Sequence, residues 1–140
     1  MSSIERVVFS DKSIAYDVAG NAGTAIKILG VVFGKSAVSN KVYVGIALSF
    51  LDSGMSYDTL AALALGAVGA STNDKIVMTL WTNVLGVAPS ESDKAPFIKL
   101  LQDGMNAGAL AHAAADTALN TNNINLVGLA QTGIEYTPVV

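Results

Sequence analysis

Leu51-Asp52-Ser53-Gly54-Met55 returns fifty positions later as Leu101-Gln102-Asp103-Gly104-Met105, and at the same offset Leu60-Ala61 and Ala64 return as Leu110-Ala111 and Ala114. The chain carries a diverged duplication. A recurring unit of about forty residues is a supersecondary element whose apolar face is buried by packing on its neighbour. Around the quoted stretch both copies read alike: an apolar helix, a glycine stop at Gly54 or Gly104, then a short helix rich in alanine and leucine. The message is architectural, and no catalytic motif accompanies it.

Working outward, 140 residues fit one domain with a core able to fold alone. Hydrophobic residues make up 51% and charged residues 14%, where an ordinary soluble domain carries about 25% charged. Two explanations stand side by side: an Ala-rich helical core, or apolar surface that faces a partner. The longest apolar runs, Val42 to Leu51 and Leu60 to Ala70, fall short of the ~20 residues of a membrane-spanning helix. The N-terminus has no basic region followed by an apolar core and a small-residue cleavage site, so neither a transmembrane segment nor a cleaved secretory signal is expected. Eight Lys plus Arg against eleven Asp plus Glu, spread along the chain, lack the basic stripe of a nucleic-acid binder. Zero cysteines exclude disulfides and thiolate metal sites within the chain and fit either the cytoplasm or a secreted bacterial protein.

Arg6-Val7-Val8-Phe9 and Ser13-Ile14-Ala15-Tyr16-Asp17-Val18, flanking Ser10-Asp11-Lys12, predict a β-hairpin. From about Ala22 the period becomes helical, with Ile26, Leu29, Val32 and Phe33 on one face and Gly34 as the stop. A second helix is expected from Ser39 or Asn40 to Asp52 over Val44, Ala47, Leu48 and Leu51, and a third from Tyr57 to Leu65 behind an Ser56 cap. The cycle restarts at Thr72 or Asn73 with Ile76, Val77, Leu80, Trp81 and Val84 inward and Gly86 as the end. Ser90 with Asp93 predicts a capping box, Pro96 must lie within the first two turns, and Phe97, Leu100 and Leu101 continue the buried stripe. An Ala-rich helix from Ala107 to Leu119, an Asn-rich turn, and a helix from Asn123 to Thr132 over Ile124, Val127 and Leu129 complete the pattern.

The fold class expected is thus mainly α: an N-terminal β-hairpin followed by a six- to seven-helix bundle built from two diverged helical repeats. The division is 1–20 hairpin, 21–70 first repeat, 71–119 second repeat and 120–140 C-terminal helix and tail, all in one domain.

Candidate sites are few. His112 and Asp116 are four apart and share a helix face, but one histidine cannot build a zinc site, and no Gly-x-Ser-x-Gly elbow accompanies it. A surface or cap role is expected for His112, and the chain is expected not to be an enzyme. Asp116, Asn120 and Asn122 gather oxygen-bearing side chains that suggest a Ca2+ loop, although they lack the acidic spacing of known calcium loops and suit turns and caps equally. Asp17 and Asn21 read as turn and cap residues. Trp81, Tyr43, Phe50 and Phe97 read as core residues or as the lining of a protein-binding groove. The ending Glu135, Tyr136, Val139 and Val140 admits two readings of equal standing: an uncleaved export tail, or a strand that packs on the hairpin.

Leu80-Trp81-Thr82-Asn83-Val84-Leu85-Gly86-Val87-Ala88-Pro89, continuing through Phe97, Leu100-Leu101, Gly104-Met105 and Ala111, resembles the bacterial domain-of-unknown-function 4214 family. Its pattern is an aromatic-containing helix, a Gly-Arg-x-Pro turn, a second helix with an aromatic, then Leu-x-x-Gly and a short Ala-rich helix; the family is itself similar to the phycobilisome linker domain. Val87 stands where the family has Arg, and Phe97 stands near its Trp. The resemblance implies a non-enzymatic helical module near the C-terminus of a secreted or surface-layer protein of a Gram-negative bacterium. It further implies type I secretion machinery and a protein partner or self-association, with no cofactor. The alternative is an intracellular scaffold or linker-like adaptor.

Overall fold

Arg6–Val8 (β1) and Ser13–Ala15 (β2) pair antiparallel with Val7 opposite Ile14. Ile134–Tyr136 (β3) pairs with the other side of β2, Glu135 opposite Ile14, giving the order β1-β2-β3. A lone hairpin is marginal in water; here a third strand from the far end of the sequence covers β2, whose three residues are all buried. The strand reading of the tail therefore describes Glu135 and Tyr136. The computed structural model describes residues 6–8, 13–17 and 20–137; the Ser10-Asp11-Lys12 turn, Val139, Val140 and the side chain of Val127 lie outside the described residues.

The rest is helical. Asn21–Phe33 (α1), Lys41–Asp52 (α2) and Tyr57–Ala67 (α3) make the first repeat, and Asn73–Leu85 (α4), Glu91–Gln102 (α5) and Ala107–Ala115 (α6) the second. Ala118–Asn123 (α7) and Leu126–Thr132 (α8) lead to β3. Local chemistry starts most of these helices. Asn40, Ser56, Thr72, Ser90, Asn106 and Thr117 each accept a bond from a backbone N–H of the first turn, and Ser90 with Asp93 forms the expected capping box. The duplicated stretch ends its two helices identically: Gly54 and Gly104 have φ of 106° and 109°, and the next N–H returns to Phe50 and Leu100 respectively.

The duplication extends beyond the quoted residues. Gly34 and Gly86 both end the leading helix of their unit, an offset of fifty-two rather than fifty, because Gly86 to Ser90 is two residues shorter than Gly34 to Asn40. The longer link contains an unexpected 3-10 turn, Lys35–Ser39. Equivalent helices pack on each other, α1 on α4 and α3 on α6, as in the self-complementary interface of a twofold dimer. At α3–α6 the approach is close enough that a Cβ on Gly108 would overlap the carbonyl of Asp58. Helix α1 is the axis of the core: Ala22, Ala25, Ile26, Ile28, Leu29, Val31 and Val32 are buried, and it also touches α2, α3, α6 and α7.

Arg6 ties the sheet to the bundle. Its Nε and Nη2 bond both oxygens of Asp17 at 2.7 Å, and Nη1 and Nη2 reach Asp52 at 2.6 and 3.1 Å. Asp17 also accepts from the Ala22 N–H, the cap role expected of it, while Asn21 donates to Asp52. The guanidinium stays charged beside its two carboxylates. Burial opposes ionisation of Asp17, but the bonds from Arg6 and Ala22 outweigh it, and both Asp17 and Asp52 are held below the usual carboxylate range.

Three expectations are corrected. The helix expected over 107–119 stops at Ala115, because Thr117 bonds the Ala114 carbonyl and caps a new helix at the Asn120 N–H. The Asn-rich stretch is consequently α7 rather than a turn. The last helix begins at Leu126, after Asn125 takes φ 55°, and Ile124 is buried at the end of α7 instead of on α8. In α5, Phe97 and Leu100 are exposed, and the buried side chain is Lys94, bonded to Asp74 at 2.6 Å and Glu91 at 3.0 Å. Helix α5 packs chiefly on α4, so its apolar stripe is only partly covered.

Candidate functional site

Each repeat presents an apolar groove at the same place. The first, of about 280 Å³, lies between α1, α2 and α3, with Ile28, Leu29 and Phe33 on one wall, Tyr43, Ile46 and Phe50 on another, and Leu60, Leu63, Ala64 and Ala67 on the third. The second, of about 270 Å³, has Leu80, Trp81 and Leu85 of α4, Phe97 of α5, then Leu110, Ala113, Ala114 and Thr117, with Leu119 at its edge. The third walls correspond residue by residue at an offset of fifty, and Ile28, Leu29 and Phe33 correspond to Leu80, Trp81 and Leu85 at fifty-two. Two walls of each groove are therefore duplicated with the fold, while the walls from α2 and α5 share only the position of Ala47 and Phe97.

The aromatic residues decide their character. Tyr43, Phe50 and Phe97 are exposed by 44%, 36% and 36%, so these three line the grooves and are not buried core residues. Phe33 and Tyr43 have ring centroids 5.5 Å apart in the first groove, and Trp81 meets Phe97 edge-on at 6.0 Å in the second. Small residues, Ala64 and Ala67 or Ala113 and Ala114, also line the grooves and leave space in them. Chemically such surfaces supply apolar contact and shape.

Between the grooves, where α3 meets α6, lies a cluster of charged and aromatic groups. His112 Nδ1 is 2.5 Å from Asp58 Oδ1 and Nε2 is 3.1 Å from Asp116 Oδ2, while the ring stacks on Tyr57 with centroids 3.6 Å apart and planes 12° apart. Tyr57 Oη and Lys27 Nζ both donate to Asp116 Oδ1, at 3.0 and 3.2 Å. Burial and the bond to Asp116 push the Tyr57 hydroxyl well above the usual phenol range. Asp116 resists ionisation through burial, yet the bonds from Tyr57 and Lys27 hold it below the usual carboxylate range. The spacing of His112 and Asp116 was legible as a pair; Asp58 and Tyr57 carry no sequence signal, being more than fifty residues from His112.

Of the three residues suggested for Ca2+, Asp116 faces Tyr57, Lys27 and His112. Asn120 is fully buried, its amide donating to the carbonyls of Ala115 and Lys27 at 2.8 and 3.2 Å, and its oxygen lies toward Gly30 of α1. Asn122 is exposed. Among the described residues no three His, Cys, Asp or Glu side chains converge as a metal site. Of the suggested export tail, Glu135 and Tyr136 are strand residues, with Glu135 paired to Lys41 at 2.9 Å and the Thr137 N–H bonded to the Lys41 carbonyl. Among the described residues no helix is long and apolar enough to cross a membrane. Comparison with protein-family models, with curated proteins and with solved structures finds no match.

Proposed function

We propose that the chain is a non-enzymatic helical assembly module that works by protein–protein contact through its two equivalent grooves. The observation that carries this reading is that an apolar groove lined by exposed aromatic and by small residues occurs in both units, with two of its three walls at equivalent positions. The occupant proposed is the apolar face of an α-helix, from a second copy of the chain or from another protein. Leu60, Leu63, Ala64 and Ala67, like Leu110, Ala113 and Ala114, follow the three-and-four spacing into which the ridge of another helix packs.

The setting proposed with it is the surface of a Gram-negative cell or the medium, reached by type I export and without a resident cofactor. The resemblance around Leu80 to Pro89 supports that setting. The alternative, an intracellular scaffold, would use the same grooves.

The test is sedimentation of the chain at high concentration, with titration of a model Leu/Ala amphipathic helix, on the wild type and on Leu63→Glu/Leu119→Glu. Both leucines are about half exposed, so the double variant is expected to fold. Self-association or helix binding that the variant loses supports the reading. A wild type that stays monomeric and ignores the peptide overturns it.

A further inference from the structure

We infer that the occupant of the first groove is helix α2 of a second copy of the chain, in a symmetric dimer where each α2 lies in the groove of the other. This rests on the function proposed above and narrows it to one groove and one partner. The outward face of α2 is the starting point. Val44, Ala47, Leu48 and Leu51 turn into the bundle, and Gly45 lies so close to Thr137 that a Cβ would overlap its carbonyl. The opposite face is exposed. Its residues between the charged ends Lys41 and Asp52 are Val42, Tyr43, Ile46, Ser49 and Phe50, four of the five large and apolar.

Single exposed apolar side chains are ordinary, whereas a continuous stripe marks a surface that meets a partner. Tyr43, Ile46 and Phe50 follow at spacings of three and four, the ridge that packs between the ridges of another helix. Leu63 of α3, which lines the groove with them, is half exposed. With Val42 these side chains leave about 450 Å² of apolar surface open on each copy, at on the order of 100 Å² for a large side chain about half exposed. A stable interface of standard size takes about 800 Å² from each partner, of which about 56–65% is apolar. The stripe thus supplies the apolar part of such an interface.

The fit is self-complementary because Tyr43, Ile46 and Phe50 are both the ridge and a wall of the groove. A twofold axis that lays one α2 in the partner's groove does the reverse at the same time. None of the exposed residues between Lys41 and Asp52 is charged, so pairing the face with itself brings no like charges together and buries no ion. The second groove differs on this point. Asp93 stands four residues before Phe97 and seven before Leu100 on one face of α5, so pairing that helix with its own copy would carry two carboxylates into the seam. The symmetric contact is therefore assigned to the first groove.

Twofold symmetry brings Ile46, midway between Tyr43 and Phe50, nearest to its own counterpart. The sequence has no cysteine, so a single introduced one reports its own contact. The test compares the full chain by sedimentation as wild type, Ile46→Glu and Leu119→Glu, and by mild oxidation as Ile46→Cys and, for a control in the second unit, Met78→Cys. All three positions are exposed, so the variants are expected to fold, which circular dichroism checks. The expected result is a dimer kept in Leu119→Glu, with a dissociation constant raised about 100-fold or more in Ile46→Glu, where two like charges meet. Ile46→Cys should form a disulfide-linked dimer and Met78→Cys should not. A monomeric wild type, a dimer that Ile46→Glu leaves intact, or Ile46→Cys cross-linking no more readily than Met78→Cys overturns the inference. A monomer that still binds the model Leu/Ala helix, or a dimer lost in Leu119→Glu and kept in Ile46→Glu, leaves the groove reading standing and sinks the symmetric dimer. A monomer that ignores the helix sinks both.

Discussion

Arg6 grips Asp52 with bonds of 2.6 and 3.1 Å, and the residue that stands at this position in the second repeat is Gln102. One of the two differences between the copies of the duplicated stretch thus coincides with a tertiary contact. The sheet docks on the first unit, and the acid is found where the guanidinium arrives.

Acid should release this clamp. Asp17 and Asp52 are held below the usual carboxylate range in the folded chain and titrate in that ordinary range when unfolded. Their stabilisation is complete above that range, about pH 4, and is lost as pH falls through the lower folded values. Urea midpoints should drop on acidification from pH 6 to pH 2, and Asp17→Asn should cost about 1–3 kcal/mol at neutral pH and flatten the drop. An equally steep acid profile in the variant would show that other carboxylates carry it.

Glycine-to-alanine exchange within a helix ordinarily stabilises by about 0.5–1 kcal/mol. Gly66→Ala, with open space around its position, should follow that rule. Gly45→Ala and Gly108→Ala should reverse it, costing about 1–3 kcal/mol, because the new methyl would overlap the carbonyls of Thr137 and Asp58. Chemical denaturation of the three variants decides the matter by sign alone.

Tyr57→Phe should keep the ring stack on His112 and lose the hydroxyl bond to Asp116. The expected cost is about 0.5–1.5 kcal/mol, read from unfolding midpoints. A variant as stable as the wild type would mean that solvent or Lys27 satisfies Asp116 equally well.

Deleting the last ten residues would remove β3 along with any export signal, so loss of export after such a deletion would not separate the two readings of the tail. Substitution does. Val139→Ser/Val140→Ser changes the end of the chain without touching Ile134–Tyr136. It should abolish release of a fusion into the medium by a type I system, and release unaffected by the substitutions would remove the tail from the export proposal.

What the sequence by itself determined is the local grammar. Ser56, Thr72 and Ser90 cap the helices expected of them, Gly34, Gly54, Gly86 and Gly104 end them, and Val44, Ala47, Leu48 and Leu51 are buried as their spacing required. Each of these depends on bonds spanning a few residues or on helical periodicity, and such chemistry is written in neighbouring letters. Only the tertiary structure decided that β3 pairs with β2, that Tyr43, Phe50 and Phe97 line grooves, and that His112 lies between two acids. These depend on which distant surfaces meet: Asp58 and His112 are 54 residues apart, and Lys27 and Asp116 are 89 apart. An exposed and a buried aromatic have the same helical spacing, and only the packing partner tells them apart.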